Sequence, residues 1–458
     1  MTATSHNPVL TSAPLPLFLR YASSASLALL AISSATLVDG LVVGQVLGSE
    51  AMAAITLLIP YFTLVFSLAL ALAIGGSVRA SHLLGQGKTQ QASALLTAAL
   101  LAVLLLTLGN LALISWQMPQ LFKLLGAPTA LQPLMQPYLQ VMLWAMLLQL
   151  FTLVLYYFVR ADQHGRRATQ ALVVGACANM LLDVLFVGVW QSGLAGAAWA
   201  TLLAQVLQLA VLLTYWRSPR RQLRLPQPPA WRELGQGIRN GLSELVNELS
   251  VGLVLWLINA ELLRQSGSDG VAAFTLVNYV IFVGLMSYYG IVDALHPLVG
   301  QNAGAQRWAR VRSFIGIAAV LIASLSLLLI ALLLGGGHWL SRLFLPQGSA
   351  EVQSLTLSFI QILWPIFVFN GFNVLVSASL TALEHAWASL TIALSRGLVL
   401  PVLFLLGLPL YWPELPFLLA LPLAEMLTSL LAILLLWLSR SSLPPLYRTT
   451  RTATLSDG

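Results

Sequence analysis

Charge is scarce in this 458-residue chain: only 8% of its residues are Asp, Glu, Lys or Arg, where soluble domains carry roughly 25%. That supply cannot cover a water-facing surface, so a freely soluble globular domain is excluded. Cysteine is nearly absent too; Cys177 stands alone, which rules out an intrachain disulfide and reads as a small apolar packing residue. The six histidines, at positions 6, 82, 164, 296, 338 and 385, are scattered and show no metal-ligand spacing such as H-E-x-x-H. A nucleophile elbow and a phosphate-binding glycine loop are equally missing, so neither an enzyme nor a bound cofactor is expected. The opening MTATSHNPVLTSAPLPLF lacks the basic start and small-residue cleavage site of a secretory signal and reads as a short tail.

What is abundant is hydrophobicity, 58% of all residues, laid out in runs of about 20 or more, each long enough to cross roughly 30 Å of hydrocarbon as a helix. The runs are continuous rather than alternating, which excludes a barrel, and helices satisfy their own backbone groups in lipid. The chain therefore reads as an all-α integral membrane protein with twelve spans between residues 20 and 438. Of the 22 lysines and arginines, all but Lys123, Arg264 and Arg342 fall on one side of that layout. This bias places both termini in the cytoplasm and makes the net charge of +7 a matter of topology. The basic, proline-bearing segment RSPRRQLRLPQPPAWREL (217 to 234) reads as a cytoplasmic linker rather than a nucleic-acid site.

The linker divides the chain into a tail (1–19), a six-span lobe (20–216), the linker itself (217–235), a second six-span lobe (236–438) and a closing tail (439–458). The halves repeat. GSEAMAAITL (48 to 57) matches GSDGVAAFTL (267 to 276), and LLGQG (83 to 87) matches LVGQN (298 to 302). An even number of spans separates the copies, so the lobes are parallel repeats about a pseudo-two-fold axis along the membrane normal, an arrangement that places a cavity between halves.

Six acidic residues fall inside spans: Asp39, Asp183, Glu244, Glu248, Asp293 and Glu425. A carboxylate at mid-membrane depth costs roughly 2.5–3.5 kcal/mol on insertion scales, so each needs a reason. Asp39, Asp183 and Thr201 all lie about seven residues from the outer ends of their spans, roughly 10 Å deep at 1.5 Å per residue. Asn179 sits one turn deeper on the Asp183 face, and Tyr138 reaches a similar level. Such an oxygen-only layer suits a hard cation such as Na⁺, for which Asp39, Asn179, Asp183 and Thr201 would be the ligands; alternatively, two adjacent carboxylates in a poor dielectric carry a proton. In the second lobe Glu244 and Glu248 share one face of span seven, with Asn259 farther out and Asp293 in span eight near His296. These are candidates for a cationic substrate or for secondary coupling.

Several stretches resemble one family. NMLLDVLFVGVWQSGLAGAAWATLLAQ (179 to 205), RADQHGRRA (160 to 168), HPLVGQNAGAQ (296 to 306) and GLSELVNELSVGLVLWLINAEL (241 to 262) are similar to landmark segments of the multidrug and toxic compound extrusion (MATE) transporters, nearest the bacterial DinF-like branch. The resemblance implies a V-shaped pair of six-helix bundles in the bacterial inner membrane, acting as a monomer. It would exchange small lipophilic or cationic compounds for inward H⁺ or Na⁺. It also implies a first-lobe cation site on Asp39, Asn179, Asp183 and Thr201. In the NorM-like branch a span-seven Glu pairs with a span-ten acid, but FIQILWPIFVFNGFNVLVSASLTA carries none, so that pairing does not transfer. A flippase for lipid-linked cargo, which shares the broader architecture, would instead need a cavity lined with cations, and only Arg396 and Arg239 lie within reach.

Overall fold

The computed structural model describes residues 7–344 and 350–438, and those residues form helices, turns and coil without a strand; both the closing tail and the extreme amino end lie outside them. Ten helices are long and apolar enough to cross a bilayer, or eleven when the bent pair Glu351–Leu363 and Ile366–Ala382 counts as one span. One of the ten, Pro14–Gly85, has 72 residues. At 1.5 Å per residue it would be about 108 Å long, and it is interrupted by non-helical Gly48. Divided there it supplies spans one (14–47) and two (49–85), which brings the described spans to twelve.

The others are three (Thr89–Leu124), four (Gln132–Ala161), five (Gly165–Val189), six (Gly193–Arg217), seven (Trp231–Gly267), eight (Asp269–Gly304), nine (Trp308–Phe344), ten (the bent pair, 351–382), eleven (Ala386–Tyr411) and twelve (Phe417–Leu438).

The sequence repeat has a backbone cause. Gly48 and Gly267 open the two matching decapeptides and turn the chain from span one into two and from seven into eight, with φ of 83° and 62°. That left-handed region is open to glycine and strained for other residues. A second device recurs four times. Gly87, Gln163, Gln306 and Glu384 all have positive φ and stand two residues before spans three, five, nine and eleven. In each case the following N–H reaches back five residues: Lys88 to Leu83 (2.8 Å), His164 to Val159 (3.0 Å), Arg307 to Asn302 (2.8 Å) and His385 to Leu380 (2.9 Å). This is the six-to-one bond of a Schellman close, which satisfies carbonyls left over at a helix end.

Buried apolar side chains form two main clusters. One draws on residues 28–234. The other draws on residues 258–420, together with Val9, Leu17, Phe18, Tyr21 and Ala22 from the amino end. The opening of span one therefore packs into the second lobe, where Phe18 stacks on Phe314 with ring centroids 6.4 Å apart. The short helix Pro8–Thr11 is capped by Asn7. Arginines of span nine and its preceding turn take the carbonyls around it, Arg310 donating to Val9 (3.0 Å) and Ser12 (2.7 Å) and Arg307 to Leu10 (2.7 Å). Residues read from sequence as a tail are thus packed helix from Pro8 onward, because Val9, Leu10, Leu17 and Phe18 bring the apolar surface that a tail would not have.

The lobes meet at the arginine-rich end. Arg79 of span two donates to Glu233 (2.7 Å) and Glu384 (3.0 Å), His82 to the Ala382 carbonyl (2.8 Å), and Gln301 to the Ala161 carbonyl (2.6 Å). Backbone approaches backbone here: a Cβ at Gly75 or Gly241 would overlap the carbonyl oxygen of Gly237 or Ala71 respectively. At the far end Trp116, Trp190 and Trp412 are exposed, as expected of aromatics at a membrane interface.

Candidate functional site

Asp39 from span one, Asp183 from span five and Tyr138 from span four come together in the first lobe. The Asp39 charge acts on Asp183, and both act on the Tyr138 hydroxyl. Asp183 is completely buried (0% exposed), and neither of its carboxylate oxygens has a hydrogen-bond partner; Oδ1 of Asp39 is likewise buried and unpartnered. Buried polar atoms are nearly always bonded, and leaving them so is costly. Three carboxylate oxygens on this pair are buried without a partner. One turn below Asp183, Asn179 donates to the Thr201 hydroxyl across 3.4 Å, and that hydroxyl donates to the Ala197 carbonyl at 3.1 Å.

The chain changes helix type at this point. Span five is α-helical to Asp183 and winds as a π-helix from Val184 to Val189, a local widening that recurs at functional sites. Span six supplies a residue that sequence depth alone did not pick out: Gln205, one turn from Thr201 on the same face, has a buried Oε1 without a partner. Its four-residue spacing from Thr201 was the available signal. No group of three or more His, Cys, Asp and Glu that could hold a metal ion occurs among the described residues.

Between the lobes, Glu244 and Glu248 lie one turn apart on span seven, each half-buried. Both act electrostatically on Tyr157 of span four and Tyr289 of span eight, so acids of one lobe lie within electrostatic range of an aromatic of the other. Asp293 is engaged differently. It forms an ion pair with Arg160 of span four across the lobes, with His296 Nδ1 3.4 Å from its other oxygen. Asn259 lies eleven residues beyond Glu248 on the same helix, about 16 Å away along the axis. Phe158 belongs to the first lobe's core, whereas Trp144 and Tyr279 are exposed.

Glu425 of span twelve is fully engaged. It accepts from Asn370 and Asn373 of span ten, both at 2.7 Å, and from Arg396 of span eleven at 3.1 Å. Span ten, whose acid Glu351 stands at its opening, thus contributes two amides to the second lobe's polar cluster. Arg396 sits in the protein's other π-helical stretch, Ser395–Val399.

Two six-span lobes that meet at one end, with polar groups held at membrane depth in each, are the architecture of a membrane transporter. The chain belongs to the MatE family, whose profile matches it twice, over residues 25–185 and 244–405, one match in each lobe. The Bacillus subtilis protein described as "Probable multidrug resistance protein YoeA" is 23% identical over 391 residues, covering 81% of this chain and 82% of that one. A Shewanella oneidensis protein described as "FAD transporter" is 28% identical over 408 residues, 86% of this chain and 87% of that one. Among solved structures, one described as the outward-facing conformation of a multidrug resistance MATE family transporter of the MOP superfamily superposes with a TM-score of 0.87 at 23% identity, covering 96% of this chain and 99% of that one.

Proposed function

We propose that this transporter is a secondary antiporter that expels lipophilic, cationic compounds in exchange for H⁺ or Na⁺ moving inward, in a bacterial inner membrane with both termini cytoplasmic. The observation that carries the reading is the pair Asp39 and Asp183, which have buried carboxylate oxygens without a protein partner, with the Asp39 charge acting on Asp183. An ion entering from the far end neutralises that pocket, relaxes the repulsion between spans one and five, and favours a different packing of span one. Span one begins in the second lobe's core and carries Asp39 in the first, so a change at the pocket bears directly on how the lobes sit against each other. Coupling then requires only that ion and substrate favour different states.

The substrate's place in this scheme is the interlobe space at Glu244 and Glu248, flanked by Tyr157 and Tyr289. Carboxylates set among aromatic faces suit a lipophilic cation. An anionic or lipid-linked cargo is disfavoured there, because the arginines nearest that space are matched by acids, Arg160 by Asp293 and Arg396 by Glu425. The test is efflux of a cationic dye from cells carrying Asp39→Asn. Transport is expected to fall at least tenfold with membrane abundance unchanged; undiminished efflux removes Asp39 from the mechanism. Counterflow in proteoliposomes under separately imposed sodium and pH gradients then identifies the coupling ion.

A further inference from the structure

A groove of about 1660 Å³ lies at the arginine-rich end of the first lobe, and none of the carboxylates at positions 39, 183, 244 and 248 lines it. Arg20 contributes from span one, Arg160 from the end of span four, and Arg166 and Arg167 from the opening of span five. The linker adds Arg220, Arg221 and Arg224. Asp162 is the one acid in the lining, and its Oδ2 already accepts from the Tyr215 hydroxyl (2.5 Å) and the backbone N–H groups of Gln222 (2.8 Å) and Leu223 (3.4 Å). The groove is strongly cationic.

Some of these guanidinium groups are committed to the fold. Arg167 donates to the Thr214 carbonyl (2.9 Å), and Arg221 donates to the Trp216 carbonyl while lying over the Trp216 ring. Arg160 is only partly committed: its Nη1 serves Asp293 and the Tyr156 hydroxyl, yet its Nη2 is buried without an acceptor, on a residue 2% exposed. Exposed Arg20, Arg166, Arg220 and Arg224 line the same space. Four exposed guanidinium groups around one groove, with Arg160 in its wall, suit an anion with several acceptor oxygens, which phosphate supplies in the geometry that arginine prefers.

The rest of the lining says which phosphate. Leu27 on span one and Val173 and Val174 on span five continue the groove away from the arginines toward membrane depth, and Leu27 and Val174 are exposed. A soluble anion gains nothing from that apolar lane, whereas an acyl chain does. We propose that the groove binds an anionic phospholipid from the adjacent leaflet, with its phosphate on the arginines and a chain along Leu27, Val173 and Val174, in line with the basic pockets between membrane helices that take acidic headgroups.

The experiment uses the full-length protein in detergent, with bound lipid read by native mass spectrometry after titration with phosphatidylglycerol or phosphatidylcholine. Arg166→Gln/Arg224→Gln removes two exposed groove cations; Arg217→Gln/Arg232→Gln removes the same charge outside the groove. Wild type and the second variant should retain phosphatidylglycerol in preference to phosphatidylcholine, and the first should bind it roughly 10- to 30-fold more weakly with an unchanged melting temperature. Equal retention by the two variants overturns the site. Inorganic pyrophosphate binding as tightly as the lipid, and displacing it, overturns the lipid assignment in favour of a soluble phosphate.

Discussion

Arg396 and Glu425 illustrate how single residues are constrained here. Their ion pair is buried and shared with Asn370 and Asn373, so removing one partner strands a charge, at a cost of about 3–5 kcal/mol, whereas replacing both by apolar residues is tolerated far better. Glu425→Leu is expected to lower the melting temperature and yield of the purified protein sharply, and Arg396→Leu/Glu425→Leu to recover most of both. Equal loss in single and double variants would show that the pair is not acting as a unit. The carboxylates proposed to couple transport are expected to behave in the opposite way. Asp183 has no bonds to lose, so Asp183→Asn should leave the melting temperature unchanged or raised while efflux falls at least tenfold. The sequence placed Asp39, Asn179, Asp183 and Thr201 at similar depth because depth along a helix is fixed by residue count. It left Gln205 unmarked and could not pair Arg160 with Asp293, since residues 133 positions apart in different lobes share no local signal.

At the scale of elements, closure at the arginine-rich end depends on bare backbone. Span two meets span seven where Gly75 and Gly241 leave no room for a Cβ, so Gly241→Val should hold the lobes apart at that end. The single native cysteine, Cys177, makes a cysteine-free background easy to prepare. In it, spin labels placed on either side of the seam should report a longer distance in Gly241→Val than in the parent. An unchanged distance would mean that the contact yields. The amino end works from outside the seam: Asn7 bonds Gln301 (2.9 Å) and accepts from Gln163 (2.7 Å), which ties one residue to both lobes. Deleting residues 1–12 should shift the same label distances toward opening. Span lengths and order were readable from apolar runs; the packing of 9–22 in the second lobe was not, because a short amphipathic start offers the same pattern to either lobe.

For the whole molecule, the ion pairs of Arg79 with Glu233 and Glu384 and of Arg160 with Asp293 hold the state in which the arginine-rich end is shut. The partly exposed Arg79 pairs contribute modestly each, as a seam that opens and closes in the proposed cycle requires, whereas Arg160 and Asp293 form a buried pair. Arg79→Gln is expected to raise the population open at that end and to slow dye efflux several-fold without loss of fold; efflux at the parental rate would assign the seam to glycine packing alone.

Sequence by itself determined the solvent, the number of spans and the internal repeat, because each follows from local quantities: run length, turn punctuation, and a glycine at the matching turn of each half. Only the tertiary structure decided which acids are free and which are spent. Asp183 and Glu425 are equally improbable in a membrane helix, and nothing in their neighbouring residues separates them. Their fates diverge because one is buried without a hydrogen-bond partner and the other meets an arginine and two amides brought from separate spans.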